Sequence, residues 1–288
     1  MRFELDDDQQ DFAAALNALL TAADPVGAAR AWADRDHGPG LKLWMRLAEL
    51  GVTSLATDAT PVEVCVAFEA LGRYAVPGPW VESAAYLPVA LGREVAGLAT
   101  VALPPVVPYA LDADVADEVY VGSSPAHSVG ERVGSVDPTR HLFRVTGEGD
   151  VHDAAFDLAV LATAAQLLGA GERILADTVT YAKQRRQFGR EIGSYQAIKH
   201  SLADVRIGLD FARPLVFGAA LGEVPASAAK VAAGDAAYHA SRTGLQVHGA
   251  IGYTLELDLS LWLTKVRALV TAWGTPAHHR RRLLEGLR

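Results

Sequence analysis

The sequence predicts an α+β chain that is mostly helical. It divides into an N-terminal helical region (residues 1–91), a reduced β region (92–156) and a C-terminal helical bundle (157–288). Apolar residues recur at three- and four-residue spacing in the first and last regions, as in helices that bury one face. Between them the composition shifts to Val, Pro, Gly and Asp, with short strand-forming runs between turns. A content of 50% hydrophobic and 21% charged residues over 288 positions gives a globular chain with material for a large core.

In the first region, Asp6 to Asp8 can cap a helix that carries Phe12, Leu16, Leu19 and Leu20. Leu43, Met45, Leu47 and Leu50 belong to another helix, which Gly51 ends. Thr60, Pro61 and Glu63 form a capping box with proline at the first helical position, ahead of Val64, Phe68 and Leu71. After Pro77-Gly78-Pro79, the stretch Trp80 to Leu91 reads as one more helix. In the β region, Glu118–Val121 and Leu142–Val145 read as strands. In the bundle, Leu161, Ala164, Leu168, Gly171, Leu175 and Thr178 share a helical spacing, as do Tyr195, Ile198, Leu202, Val205 and Leu209. The small residues of Ala226 to Ala240 suit a closely packed helix. The strict alternation of leucines from Leu255 to Leu263 by itself argues for a strand, but the family resemblance given below overrides it, and the stretch is read as helix.

A net charge of -8 argues against nucleic-acid binding by bulk electrostatics. The single cysteine, Cys65, lies in an apolar run and reads as a buried, inert thiol; it excludes an intrachain disulfide or a cysteine-based zinc site. Met1 to Gln10 is acidic and polar, unlike a signal peptide, and no uninterrupted apolar run reaches the ~20 residues of a membrane span. A cytoplasmic protein without a membrane span is the expectation.

Three segments carry candidate chemistry. In Tyr181 to Gly193, Lys183, Arg185, Arg186 and Arg190 surround Gln187 and Phe188. Arginine forks match phosphate oxygens, and an exposed phenyl ring can cover a flat one; a solvated basic helix end is the alternative. In Gln246 to Tyr253, a helix runs into a glycine turn whose free amides suit a pyrophosphate, although such turns also end ordinary helices. His248 has no second ligand at metal spacing, and no metal site is expected. In Ala272 to Ala277, Thr275 and Pro276 open a helix whose run His278 to Arg282 reads as a solvated face.

Taken in order, Y-A-x-x-R-x-Q-F-G, S-Y-Q-A-I-K-H, Q-V-H-G-A-I-G-Y-T and W-G-T resemble the C-terminal half of acyl-CoA dehydrogenases. The resemblance implies that family's fold: an N-terminal helical domain, a β domain and a C-terminal four-helix bundle. It implies FAD as cofactor and oxidation of an acyl-CoA to the 2-enoyl-CoA, with a glutamate removing the α proton and the flavin taking the β hydride. In this family FAD spans a subunit interface. The resemblance therefore assigns Arg185, Gln187 and Phe188 to a neighbour's flavin, Tyr195 and Gln196 to its adenosine side, and Gln246, Val247, His248, Gly249 and Ala250 to the adenine and pyrophosphate. Ala250 stands where the family has a second glycine.

Two departures bear on activity. The family's base precedes Gly-Thr, where this chain has Trp273, or sits at the start of the long helix, near Ala159. Neither residue takes a proton, so no catalytic base is expected in this chain, and Glu172 and Glu256 are the remaining candidates. The β region also lacks the family's T-E-P-x-x-G-S-D and W-x-T-N flavin loops. This division resembles that of actinobacterial α2β2 acyl-CoA dehydrogenases of steroid side-chain degradation, whose short subunits have a segment like Val136-Asp137-Pro138-Thr139-Arg140. It implies a longer dehydrogenase subunit as partner in a heterotetramer. That partner would supply the glutamate and hold most of a steroid side-chain CoA thioester, with a separate electron-transfer acceptor. The alternatives are a non-catalytic assembly subunit and a self-sufficient flavin dehydrogenase with an unusual base.

Overall fold

A computed structural model describes residues 4–287; the outermost ends of the first and last regions, residues 1–3 and 288, lie outside it. Asp6 accepts the Gln9 amide at 2.9 Å while the Gln9 side chain accepts from the Asp6 amide, so a full capping box starts α1 (Asp7–Ala22). The helices α2 (Pro25–Ala33), α3 (Gly38–Glu49) and α4 (Leu55–Asp58) follow, and the Thr60–Glu63 capping box starts α5 (Pro61–Arg73), as the sequence implies. Trp80 to Leu91 is helical, but its middle, Glu82–Tyr86, is a π-helical turn that passes into α6 (Leu87–Leu91). Such turns recur at functional sites.

The β region holds β1 (Ala99–Ala102), β2 (Ala110–Leu111), β3 (Glu118–Val121), β4 (Ser124–Pro125), β5 (Ser128–Val133) and β6 (Leu142–Thr146). They form two three-stranded sheets, ordered β1-β3-β4 and β2-β6-β5, in which only the β1–β3 pair is parallel.

The long helix α7 (Asp153–Gln184) starts four residues ahead of the boundary read at residue 157. A small antiparallel hairpin, β7 (Arg186–Gln187) with β8 (Arg190–Glu191), joins it to α8 (Gln196–Ala220). The chain closes with α9 (Ala226–His248), α10 (Leu259–Leu269) and α11 (Pro276–Glu285). The most apolar part of α7 has the length and composition of a membrane span, but 83% of it is buried as the core helix of this protein. Where α5 crosses α7, a Cβ at Gly72 would collide with the Gln166 carbonyl, and one at Gly169 with the Glu69 carbonyl. Glycine at both positions lets the two backbones touch.

The alternating leucines do not make a strand. Residues 254–258 form a turn with Leu255 exposed, and the helix starts at Leu259, with Leu259, Leu261 and Trp262 buried. Core packing across the Trp262 ring, whose indole donates to the Gly72 and Arg73 carbonyls at 3.1 Å, overrides the local period. Cys65 is fully buried, and burial pushes its thiol well above its ordinary range.

Candidate functional site

The residues singled out by sequence collect at the two ends of α7, which at about 1.5 Å per residue lie roughly 48 Å apart. At the C-terminal end, the first two motifs come together. Gln187 pairs with Arg190 across the hairpin, and both residues between them are left-handed, Phe188 at φ 51° and Gly189 at φ 84°. This is the backbone of a type I′ turn, which twists with the strands it joins. The turn thrusts Phe188 into solvent at 92% exposure. Arg190 lies 3.9 Å above the Tyr195 ring, whose hydroxyl donates to the Gln187 carbonyl at 3.4 Å. Among the described residues, Arg185 forms no ion pair or side-chain hydrogen bond, and the Gln187 and Gln246 side chains are likewise uncommitted and exposed. Gln196 is bonded to His200 at 2.8 Å.

Under this hairpin, Ala182, Ile192 and Val247 form a small apolar cluster with Tyr181, Tyr195 and Ile198, which binds the end of α9 to the hairpin base. The glycine turn follows at once. Gly249 has φ 63° with open space around its would-be Cβ, Ala250 is exposed, and Arg242, Leu245, Gln246, Gly249 and Tyr253 line a hollow of about 300 Å³. Two of the assigned residues do not face that hollow. Val247 packs into the cluster, and His248 is buried, with its ring stacked on Tyr181 at 4.2 Å and Nδ1 bonded to the Gly244 carbonyl at 2.8 Å. Their side chains hold the turn in place, and only their backbone remains for a ligand.

The N-terminal end of α7 is closed by aromatic packing. Trp273 is 1% exposed, 5.3 Å from the Tyr86 ring and 6.0 Å from Phe156, and Ala159 is fully buried. The Trp273 backbone is left-handed at φ 55°, an unfavourable conformation for a bulky side chain that its surroundings enforce. The basic run after it is not a wholly solvated face. His279 is buried, bonded through Nε2 to the Trp273 carbonyl at 2.9 Å and through Nδ1 to the Ser227 hydroxyl at 3.0 Å. A carbonyl only accepts, so Nε2 carries a proton. Burial lowers its pKa to about 4. Arg280 and Arg282 pair with Asp235 and Asp157.

Sequence reasoning passed over a buried carboxyl at the cleft beside Trp273. Glu82, on the π-helical turn, is buried and lines a cleft of about 410 Å³ with Trp273, Arg140, Val136 and Tyr109. Burial pushes its carboxyl above the usual range, against the pull of Arg140. Asp137, buried and bonded to Lys265 Nζ at 3.1 Å and to the Thr139 hydroxyl at 2.8 Å, fixes the loop that carries Arg140 to α10. The two candidate bases named from sequence are not placed for catalysis. Glu172 makes a two-point pair with Arg206 at 2.6 and 2.7 Å, which holds it ionised against its burial. Glu256 is exposed in a turn and has no ion-pair partner among the described residues.

Residues 147–287 match the family described as acyl-CoA dehydrogenase, C-terminal domain. The chain is 33% identical over 285 residues to the acyl-CoA dehydrogenase IpdE2 of Mycobacterium tuberculosis, covering 89% of this chain and 90% of that one. The IpdE2 of Mycolicibacterium smegmatis is 30% identical over 286 residues, covering 89% and 91%. Among solved structures, butyryl-CoA dehydrogenase from Megasphaera elsdenii superposes with a TM-score of 0.81 at 20% identity, covering 100% of both chains. The ChsE4-ChsE5 complex from Mycobacterium tuberculosis gives 0.79 at 22% identity, covering 100% of this chain and 99% of that one.

Proposed function

The chain belongs to the acyl-CoA dehydrogenase family, and we propose that within it this is the base-lacking subunit of a heteromeric, FAD-dependent enzyme. It completes the FAD site of a longer partner subunit, which provides the catalytic glutamate and most of the acyl-CoA pocket, in an α2β2 assembly. The observation that carries this reading is the contrast between the ends of α7. Trp273 and Ala159 are buried and carry no base, while Arg185, Phe188 and Gln246 stand exposed and uncommitted.

The outward end fits a flat, anionic cofactor. The Arg185 guanidinium offers a fork for phosphate or ring oxygens, and the Phe188 ring offers a flat apolar face. The unfilled space at Gly249 admits close approach of a ligand to the backbone. FAD, when bound, supplies the hydride acceptor. This chain's part is to hold and shield it, and α-proton removal falls to the partner.

The proposed substrate class is a steroid-derived acyl-CoA. Support comes from the fold shared with the Tcur3481-Tcur3483 steroid acyl-CoA dehydrogenase, TM-score 0.81 at 18% identity. In the complex with its partner, Arg185→Ala should lower retained FAD while leaving assembly intact; an active homomer of this chain would overturn the reading.

A second reading rests on Glu82. Its buried carboxyl faces the cleft beside Trp273, so it offers a base within this chain. Glu82→Gln separates the two: the rate of the complex is unchanged if the partner carries the base, and is lost if Glu82 does.

A further inference from the structure

A partly buried polar cluster with no part in the flavin chemistry lies where the N-terminal helices meet the β region. Its residues come from three segments. His37 precedes α3, Asp112 and Asp114 lie between β2 and β3, and His141 directly precedes β6. Nδ1 of His141 is 3.8 Å from Oδ1 of Asp112 and 3.8 Å from Oδ2 of Asp114. The His37 and His141 rings are 5.6 Å apart, and His37 rests edge-on against Trp32 at 4.5 Å.

Buried polar atoms are ordinarily hydrogen-bonded. Here His141 is 1% exposed, yet neither ring nitrogen has a hydrogen-bond partner, and the same holds for Nε2 of His37 and Oδ2 of Asp112. The surroundings are otherwise ordered. Oδ1 of Asp112 accepts from the Trp32 indole at 3.3 Å and from the His141 amide at 3.0 Å. These bonds fix the Asp112 carboxylate and the backbone of His141 beside the orphaned atoms. One ligand atom each from His37, Asp114 and His141 lies within 4.8 Å of the other two. The cation now nearest Asp114 is Arg35 at 3.7 Å, 60% exposed and free to move away.

We propose that His37, Asp114 and His141 bind a divalent transition-metal ion, Zn²⁺ by donor type. Two imidazoles and one carboxylate form a common zinc ligand set, with the fourth position open to water at the exposed Asp114 edge. The ion ties α3 to the β2–β3 and β5–β6 connections. His141 follows Arg140 directly, so the ion also steadies the wall of the cleft that holds Glu82. The site is independent of FAD and of the identity of any partner.

The test is Zn²⁺ titration of the full-length chain after chelator treatment, with metal content measured per chain. One Zn²⁺ per chain is expected, with a rise in melting temperature on binding. Asp114→Asn and His37→Gln should each weaken binding by at least about tenfold, while both keep the wild-type melting temperature in chelator, which separates loss of a ligand from misfolding. His127→Gln and His239→Gln, at exposed histidines elsewhere, should bind as the wild type does. Absence of stoichiometric Zn²⁺, or unchanged affinity in either ligand variant, overturns the site.

Discussion

The two ends of α7 were built from the same kinds of motif and have opposite fates. At the N-terminal end, Trp273, Tyr86, Phe156 and His279 pack into a closed plug. At the C-terminal end, the Arg186–Glu191 hairpin leaves the Arg185 and Phe188 side chains exposed, with no side-chain hydrogen bond or ion pair among the described residues. One end commits its residues to packing and the other leaves them exposed. Ordering an exposed arginine and phenyl ring brings this chain no stability by itself.

If the comparison holds, substitutions at the plug act on stability and substitutions at the hairpin act on flavin. The largest effect belongs to Trp273→Ala, which should cost about 3–5 kcal/mol of unfolding free energy through the cavity it leaves, read by denaturant melts of the isolated chain. His279 comes next. Its pKa is about 4 in the fold against 6.5 when unfolded, so the unfolded chain binds the extra proton first as pH falls. The stabilisation is complete above about pH 6.5 and lost progressively toward pH 4, amounting to about 3 kcal/mol at roughly 1.4 kcal/mol per unit. His279→Gln should flatten that limb of the stability–pH curve; an unchanged slope would place the acid sensitivity elsewhere.

Arg185→Ala should weaken FAD retention in the complex by roughly ten- to a hundredfold, the worth of about 1.5–3 kcal/mol for a hydrogen bond to a charged group. The melting temperature of the isolated chain should stay where it is. Phe188→Ala should move stability by less than about 0.5 kcal/mol, as for an exposed side chain, and still lower flavin retention. The smallest effect is that of Glu82→Gln on turnover of the complex, expected to be nil. The same change should raise stability at neutral pH, because it removes a buried carboxyl whose ionisation burial opposes.

Much of the fold is legible in local sequence. Asp6, Thr60 and Glu63 mark helix starts by direct hydrogen bonding within four residues, and Glu118–Val121 has the strand composition it needs. The period of Leu255 to Leu263 points to a strand, and only the family resemblance made it a helix, which it is from Leu259, because packing of Trp262 against α5 decides its state. His248 and His279 look like exposed polar residues in their motifs. Each is buried by a contact that sequence cannot show, with Tyr181 for one and Ser227 for the other. Glu82 and the His37–Asp114–His141 cluster were invisible for a related reason: each draws its neighbours from segments far apart along the chain. The hairpin was the easiest part of the site to find, because its arginines, glycine and phenylalanine are contiguous.

The central claim is that this chain contributes to a FAD site it cannot complete alone. The most direct measurement is flavin absorbance per mole of protein, for the chain purified by itself and again after co-expression with its partner dehydrogenase. The account predicts a colourless chain alone and a yellow, active complex. A chain that is yellow and turns over acyl-CoA by itself would contradict it.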